Sequence, residues 1–237
     1  LLARSRSRRD LRPIAAGAAI IGVALALRLF GPPWAYFHEK RHGYRYFVEI
    51  IGGHPGFAPP STYYVLMNVF LQALGPREDT LFLINTLFSV ASVPLVGVVA
   101  RQLSVRADAG WAAMGLWALC PHAIRLAPTE TYYDVGVFFL MAGTAASIHA
   151  LRLLEERELP IPELVLATLL AALAAQTRAL TLLWPASFLL LAFGAGVIRS
   201  RRQWLGVGAL AVGISALVLP KILITLGQGA GGTYRRF

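Results

Sequence analysis

Apolar residues recur in long blocks separated by short polar stretches. The blocks cover about residues 14–30, 62–74, 81–100, 109–119, 135–154, 164–175, 180–198 and 205–226. A helix needs about 20 apolar residues to cross the hydrocarbon of a bilayer. The pattern therefore predicts an all-α, polytopic transmembrane protein with about seven to eight membrane segments. A basic N-terminus, 1–13, precedes the membrane module, 14–226, and a tail follows at 227–237. The first block stands behind Arg4, Arg6, Arg8, Arg9 and Arg12, with no small-residue cleavage site before Gly31-Pro32-Pro33-Trp34. It reads as a retained first helix with its N-terminus in the cytoplasm.

The polar stretches set the expected sidedness. With Arg199, Arg201 and Arg202 inside, counting back puts 155–160 inside and both Asp134 and Arg178 outside. Counting forward from the N-terminus puts the 31–59 loop outside as well. Three apolar blocks lie between residues 60 and 134, where an even number of crossings is required. The short blocks 62–74 and 109–119 are both candidates for a partial insertion. If it is the first, Arg101 and Arg106 lie inside. In the 31–59 loop, Tyr44, Phe47, Val48 and Ile51 fall at helical spacing, as in a helix lying on the membrane surface.

Composition removes other classes. Of 237 residues, 57% are apolar and only 14% charged, against about 25% charged in soluble domains. Neither a soluble globule nor a disordered chain fits, and the single Cys120 rules out a disulfide scaffold. Cys120 reads as a small packed side chain. The net charge of +10 sits in blocks between apolar runs. That pattern suits cytoplasmic loops and anionic lipid or phosphate, not nucleic acid. The opening at Leu1-Leu2 and the close just after an apolar run are those expected of a piece of a longer chain or of an alternative start.

Two motifs compete in the first outer loop. His38-Glu39-Lys40-Arg41-His42 is a literal H-E-x-x-H, which on a helix presents two imidazoles to zinc with the glutamate as general base. Lys40 and Arg41 would add positive charge beside the dication, and no third ligand stands in a recognised pattern. Taken as a whole, the loop offers different chemistry. A carboxylate, Glu39, stands at the membrane surface beside Lys40, Arg41 and Arg45. Glu49 is a second acid, with Arg45 one helical turn before it as an ion-pair partner. A Pro59-Pro60-Ser61-Thr62-Tyr63-Tyr64 entry to the second apolar block follows. Further along, Tyr132-Tyr133-Asp134-Val135 opens a block with a carboxylate, and Gln176-Thr177-Arg178 separates two short ones.

In the order of these elements the chain resembles the integral-membrane glycosyltransferases of the C-type fold. It is most similar to the branch of protein O-mannosyltransferases and bacterial lipid A aminoarabinose transferases. There an acidic pair after the first helix precedes a His-Pro-Pro-Leu-Tyr-Tyr-like entry to the second. Here His38-Glu39 stands for the pair, and the resemblance covers roughly residues 14–198. It implies transfer of a sugar from a polyprenyl-phosphate-linked donor to an acceptor on the extracytoplasmic face of the inner membrane.

That chemistry needs a base for the acceptor hydroxyl and cations, or a divalent metal (Mg or Mn), for the departing phosphate. The expected catalytic residues are Glu39 and Asp134, which are also the candidate metal ligands. Arg178, Lys40, Arg41, His54 and Tyr63 are expected to bind substrate or phosphate. Arg178 can fork two bonds onto a phosphate or snorkel to the interface. Tyr63, Tyr64, Trp34 and Trp184 also read as interface-belt residues. Two alternatives stay open: a membrane zinc protease on His38, Glu39 and His42, and a non-catalytic membrane or transport protein.

Overall fold

The computed structural model describes residues 12–30, 62–104, 106, 108–127, 133–156, 159–177 and 192–229. Among them the elements are all helical: α1 (Arg12–Leu29), α2 (Thr62–Leu74), α3 (Glu78–Leu103), α4 (Ala109–Ala118), α5 (Pro121–Leu126), α6 (Tyr133–Glu155), α7 (Ile161–Thr177) and α8 (Arg201–Gly229). Four helices are long and apolar enough to cross a membrane: Arg12–Leu29, Thr80–Leu103, Tyr133–Glu155 and Arg201–Leu223. Of the seven or eight expected segments these are four among the described residues; the 180–198 block lies mostly outside them. At 13 residues α2 covers only about 20 Å and at 10 residues α4 about 15 Å, against about 30 Å of hydrocarbon.

Local sequence explains where the short helices stop. After Leu74, Gly75 takes φ +97 and Pro76 follows; the Gly75 amide donates to the Leu71 carbonyl. A left-handed glycine followed by proline closes a helix and prevents its continuation. The chain returns directly into α3. Tyr63, Met67 and Leu71 of α2 then share one apolar cluster with Leu81 and Ile84 of α3 and Val135 of α6. So α2 folds back beside the first part of α3 without changing ends.

α4 ends differently. Pro121 has no amide hydrogen to offer the Trp117 carbonyl one turn earlier. Cys120 is extended (φ −62, ψ 115), and Pro121 opens α5 as its first residue. At the other end of α4, Gly110 and Gly97 let the helix lie almost against the α3 backbone. A Cβ on Gly110 would stand 2.9 Å from the Gly97 carbonyl oxygen.

The long helices pack through small residues, as is usual where lipid removes any hydrophobic drive between helices. Gly143 of α6 faces the α7 backbone, 3.0 Å from the Ala171 nitrogen for an added Cβ, and Ala167, Ala171, Ala172 and Ala174 are buried. Gly206 and Gly213 of α8 meet Leu154 of α6 and Thr168 of α7.

The bundle thus has two distinct ends. One gathers the C-termini of α3 and α6 and the start of α8. There Ile148, Leu151 and Leu154 cluster with Ala192, Val197 and Ile198, and Val99 and Leu103 lie against them. Ser200 caps α8: its hydroxyl accepts the Gln203 amide at 3.3 Å, and Gln203 Oε1 accepts the Ser200 amide at 3.0 Å. This reciprocal box satisfies two amides that a helix start leaves open. Gln203 Nε2 also donates to the Leu151 carbonyl at 3.0 Å, tying α8 to α6. Arg152 donates to the Gln102 carbonyl at the same end. Arg106 forks onto Asp108, holding that exposed carboxyl below its ordinary pKa. The opposite end carries the C-termini of α1 and α7 and the N-termini of α2 and α6.

Candidate functional site

Asp134 lies in the first turn of α6 and Arg28 in the last turn of α1. A carboxylate at a helix N-terminus and a cation at a C-terminus both complement the helix dipole. The two are nevertheless taken almost wholly out of solvent, with 6% and 1% exposure. Ionisable groups inside a membrane bundle are costly and must find partners. Ser89 of α3 supplies one for Arg28, whose Nε donates to Ser89 Oγ at 2.8 Å.

The rest of the guanidinium caps helices. Nη1 donates to the carbonyls of Ala24 (3.2 Å) and Ala118 (3.1 Å), and Nη2 to that of Trp117 (3.3 Å). Both carbonyls stand in the last turn of α4, and that of Trp117 also accepts from the Cys120 amide at 3.2 Å. Trp117 Nε1 in turn donates to Ser92 Oγ at 2.8 Å, and Ser92 donates to the Ser89 carbonyl at 2.6 Å. The array joins α1, α3 and α4. Asp134 Oδ2 is buried with no hydrogen-bond partner. Phe88, Phe138 and Phe139 pack together, with ring centroids 5.1–6.1 Å apart, beside Ser89 and one turn beyond Asp134.

A second polar group stands at the same end. Thr177, the last residue of α7, would be 3.6 Å from a Cβ on Gly136, two residues after Asp134. Gln176 Nε2 donates to the Leu217 carbonyl at 3.1 Å, and Gln176 Oε1 accepts from Thr62 at 3.5 Å. Lys221 Nζ donates to the Gln176 carbonyl at 2.6 Å. Lysine at the end of α7 thus repeats what arginine does at the end of α4.

Of the residues expected to act, Asp134 and Tyr63 are described. Glu39, Lys40, Arg41, His54, Arg178, His38 and His42 lie outside the described residues, as do Glu49, Trp34 and Trp184. Tyr63 is completely buried, its hydroxyl accepting from Asn85 Nδ2 at 3.3 Å, and its ring meets Tyr64 edge-on at 6.1 Å. Tyr63 and Tyr64 are therefore interior residues instead of members of an interface belt. Their helix turns its Tyr63–Met67–Leu71 face into the bundle.

Arg28, Ser89 and Lys221 escape a reading of the sequence by blocks, since each sits inside an apolar run. The available signal was the lone cation in a span. Among the described residues no three His, Cys, Asp or Glu side chains gather as metal ligands. No family model, no curated protein and no solved structure matches this chain.

Proposed function

We propose that the chain is an integral-membrane glycosyltransferase of the C-type fold, acting at the extracytoplasmic face of the inner membrane. The reading completes the four long helices to about seven or eight membrane segments. The observation that carries it is the buried Asp134, with one open oxygen, at the end where α1 and α7 finish. The chain leaves α1 there toward Glu39, Lys40 and Arg41, and leaves α7 there toward Arg178. An acid and several cations are thereby joined to one end of a membrane bundle. That is the requirement of a reaction between a lipid phosphate and a surface acceptor. The opposite end carries Arg101, Arg106, Arg152, Arg199, Arg201 and Arg202, which favours its lying in the cytoplasm.

In this reading Glu39 takes the proton of the acceptor hydroxyl. The acceptor oxygen bonds to the anomeric carbon as the bond from that carbon to the phosphate oxygen breaks. The departing polyprenyl phosphate carries the charge away, held by Arg178 with Lys40 or Arg41. Asp134 holds a substrate hydroxyl. The buried Arg28–Asp134 pair beside a broken helix favours a second reading, a transporter.

Binding of polyprenyl phosphate to the full chain in nanodiscs separates these, with wild type beside R178A and zinc assayed on the same samples. Saturable binding weakened about tenfold or more by R178A supports the transferase. Absence of binding contradicts it. One zinc per chain that depends on His38 and His42 would replace it by the protease.

A further inference from the structure

α7 and α8 pack through Ala171, Ala172, Ile214 and Val218, and Gly213 of α8 lies against Thr168 of α7. The outer edge of this seam is apolar and open: Val165 and Leu169 of α7 and Leu217 of α8 are 51%, 47% and 41% exposed. Val165, Leu169 and Gln176 fall at helical spacing on one face of α7, and Leu217 and Lys221 stand one turn apart on α8. At the Asp134 end the seam closes on polar groups. Gln176 Nε2 donates to the Leu217 carbonyl at 3.1 Å, and Lys221 Nζ donates to the Gln176 carbonyl at 2.6 Å. A lysine near the end of a membrane helix ordinarily snorkels to water. This one is half-buried and turned across to α7, which fixes its charge at the mouth of an apolar face.

Two lengths decide what fits there. Arg201 and Lys221 lie on the same helix, about 30 Å apart along its axis, which is the thickness of the hydrocarbon. With Arg201 at one membrane surface, the ammonium is level with the phosphates of the other. From Gln176 back to Val165 the axis of α7 runs about 16 Å, the depth of one leaflet. A fixed cation at phosphate level, above one leaflet's depth of apolar face, is complementary to a phospholipid with a negative headgroup. A zwitterionic lipid answers its phosphate with its own amine, and a polyprenyl chain overruns the face.

We propose that the outer edge of the α7–α8 seam binds one anionic phospholipid of the leaflet at the Asp134 end, with its phosphate diester on the Lys221 ammonium and an acyl chain along Leu217, Leu169 and Val165. The site takes no part in sugar transfer, so it stands or falls apart from the transferase reading.

Native mass spectrometry of the full chain tests this. The chain is released from nanodiscs of phosphatidylglycerol and phosphatidylcholine with matched acyl chains, and the lipids that stay bound are counted. Wild type is expected to keep one phosphatidylglycerol, preferred about fivefold or more over phosphatidylcholine. K221R retains the charge and the lipid; K221Q loses the lipid. L217E loses it too, because a glutamate one turn before the lysine pairs with the ammonium. It leaves the Gln176 carbonyl contact in place and decides the matter should K221Q fail to fold. R202Q, at the other membrane surface, changes nothing. No preference in wild type, a lipid retained by both K221Q and L217E, or one lost equally in R202Q would overturn the proposal. So would displacement of the phosphatidylglycerol by equimolar polyprenyl phosphate, which gives the seam to that lipid. A lipid-free dimer that K221Q leaves intact would give it to a second copy of the chain and overturn the proposal as well.

Discussion

Arg28 donates to one hydroxyl and to the carbonyls of Ala24, Trp117 and Ala118 from a position 1% exposed. Removing one member of a buried charged pair costs about 3–5 kcal/mol, because the other charge stays behind. R28L is therefore expected to lower the melting temperature in detergent far more than S89A, which loses one bond of about 1 kcal/mol. The double variant R28L/D134L should recover part of the loss, by about 0.5–3 kcal/mol relative to the sum of the single variants. A strictly additive pair would show that the two charges do not interact. Asp134 is legible in the sequence because it opens an apolar block. Arg28 is not, because its partners stand 61 and 90 residues away and nothing in 14–30 points to them. Gln203 could have been read: Ser200-Arg201-Arg202-Gln203 is a capping box. Q203A is expected to lose about 1 kcal/mol or more, read as thermal stability, since a buried amide bridge to Leu151 goes with the cap.

Two of the shorter helices end in the same way. α4 finishes under the Arg28 guanidinium and α7 under the Lys221 ammonium. In each case a cation from a longer neighbouring helix donates to carbonyls of the last turn. The lengths of these short helices could be read from the blocks; 62–74 matches α2 residue for residue. Which of them folds back could not, because that depends on α2 returning along α3. Gly75 and Pro76 mark the return locally, but only the shared cluster of Tyr63, Leu81 and Val135 fixes its direction. The close contacts make a separate prediction at this scale. G143V would push a branched side chain into the α7 backbone at Ala171. It should destabilise by about 1–3 kcal/mol, the range for overpacking, measured by thermal unfolding in detergent. A variant as stable as wild type would contradict so tight an α6–α7 contact.

The whole molecule is a helical bundle with a polar, partly buried chemistry at one end and arginines at the other. Composition and block lengths alone give the all-helical membrane class, because few charges and long apolar runs leave no other way to satisfy the backbone. They do not tell which short blocks cross, since a block of 10–13 apolar residues reads the same whether it crosses or folds back. Of the site, the sequence offers Asp134 and the loop residues around Glu39. The array around Arg28 is a product of packing α1, α3 and α4 together.

The function assigned to Glu39, Asp134 and Arg178 requires the Asp134 end to face away from the cytoplasm. Side-specific cysteine labelling tests this most directly. In a C120S background, R77C marks the α2–α3 turn and L159C the opposite end; Arg77 and Leu159 are both exposed. The account predicts that a membrane-impermeant maleimide labels R77C in right-side-out vesicles and L159C only in inverted ones. The reverse pattern, or labelling of both from one side, would contradict it.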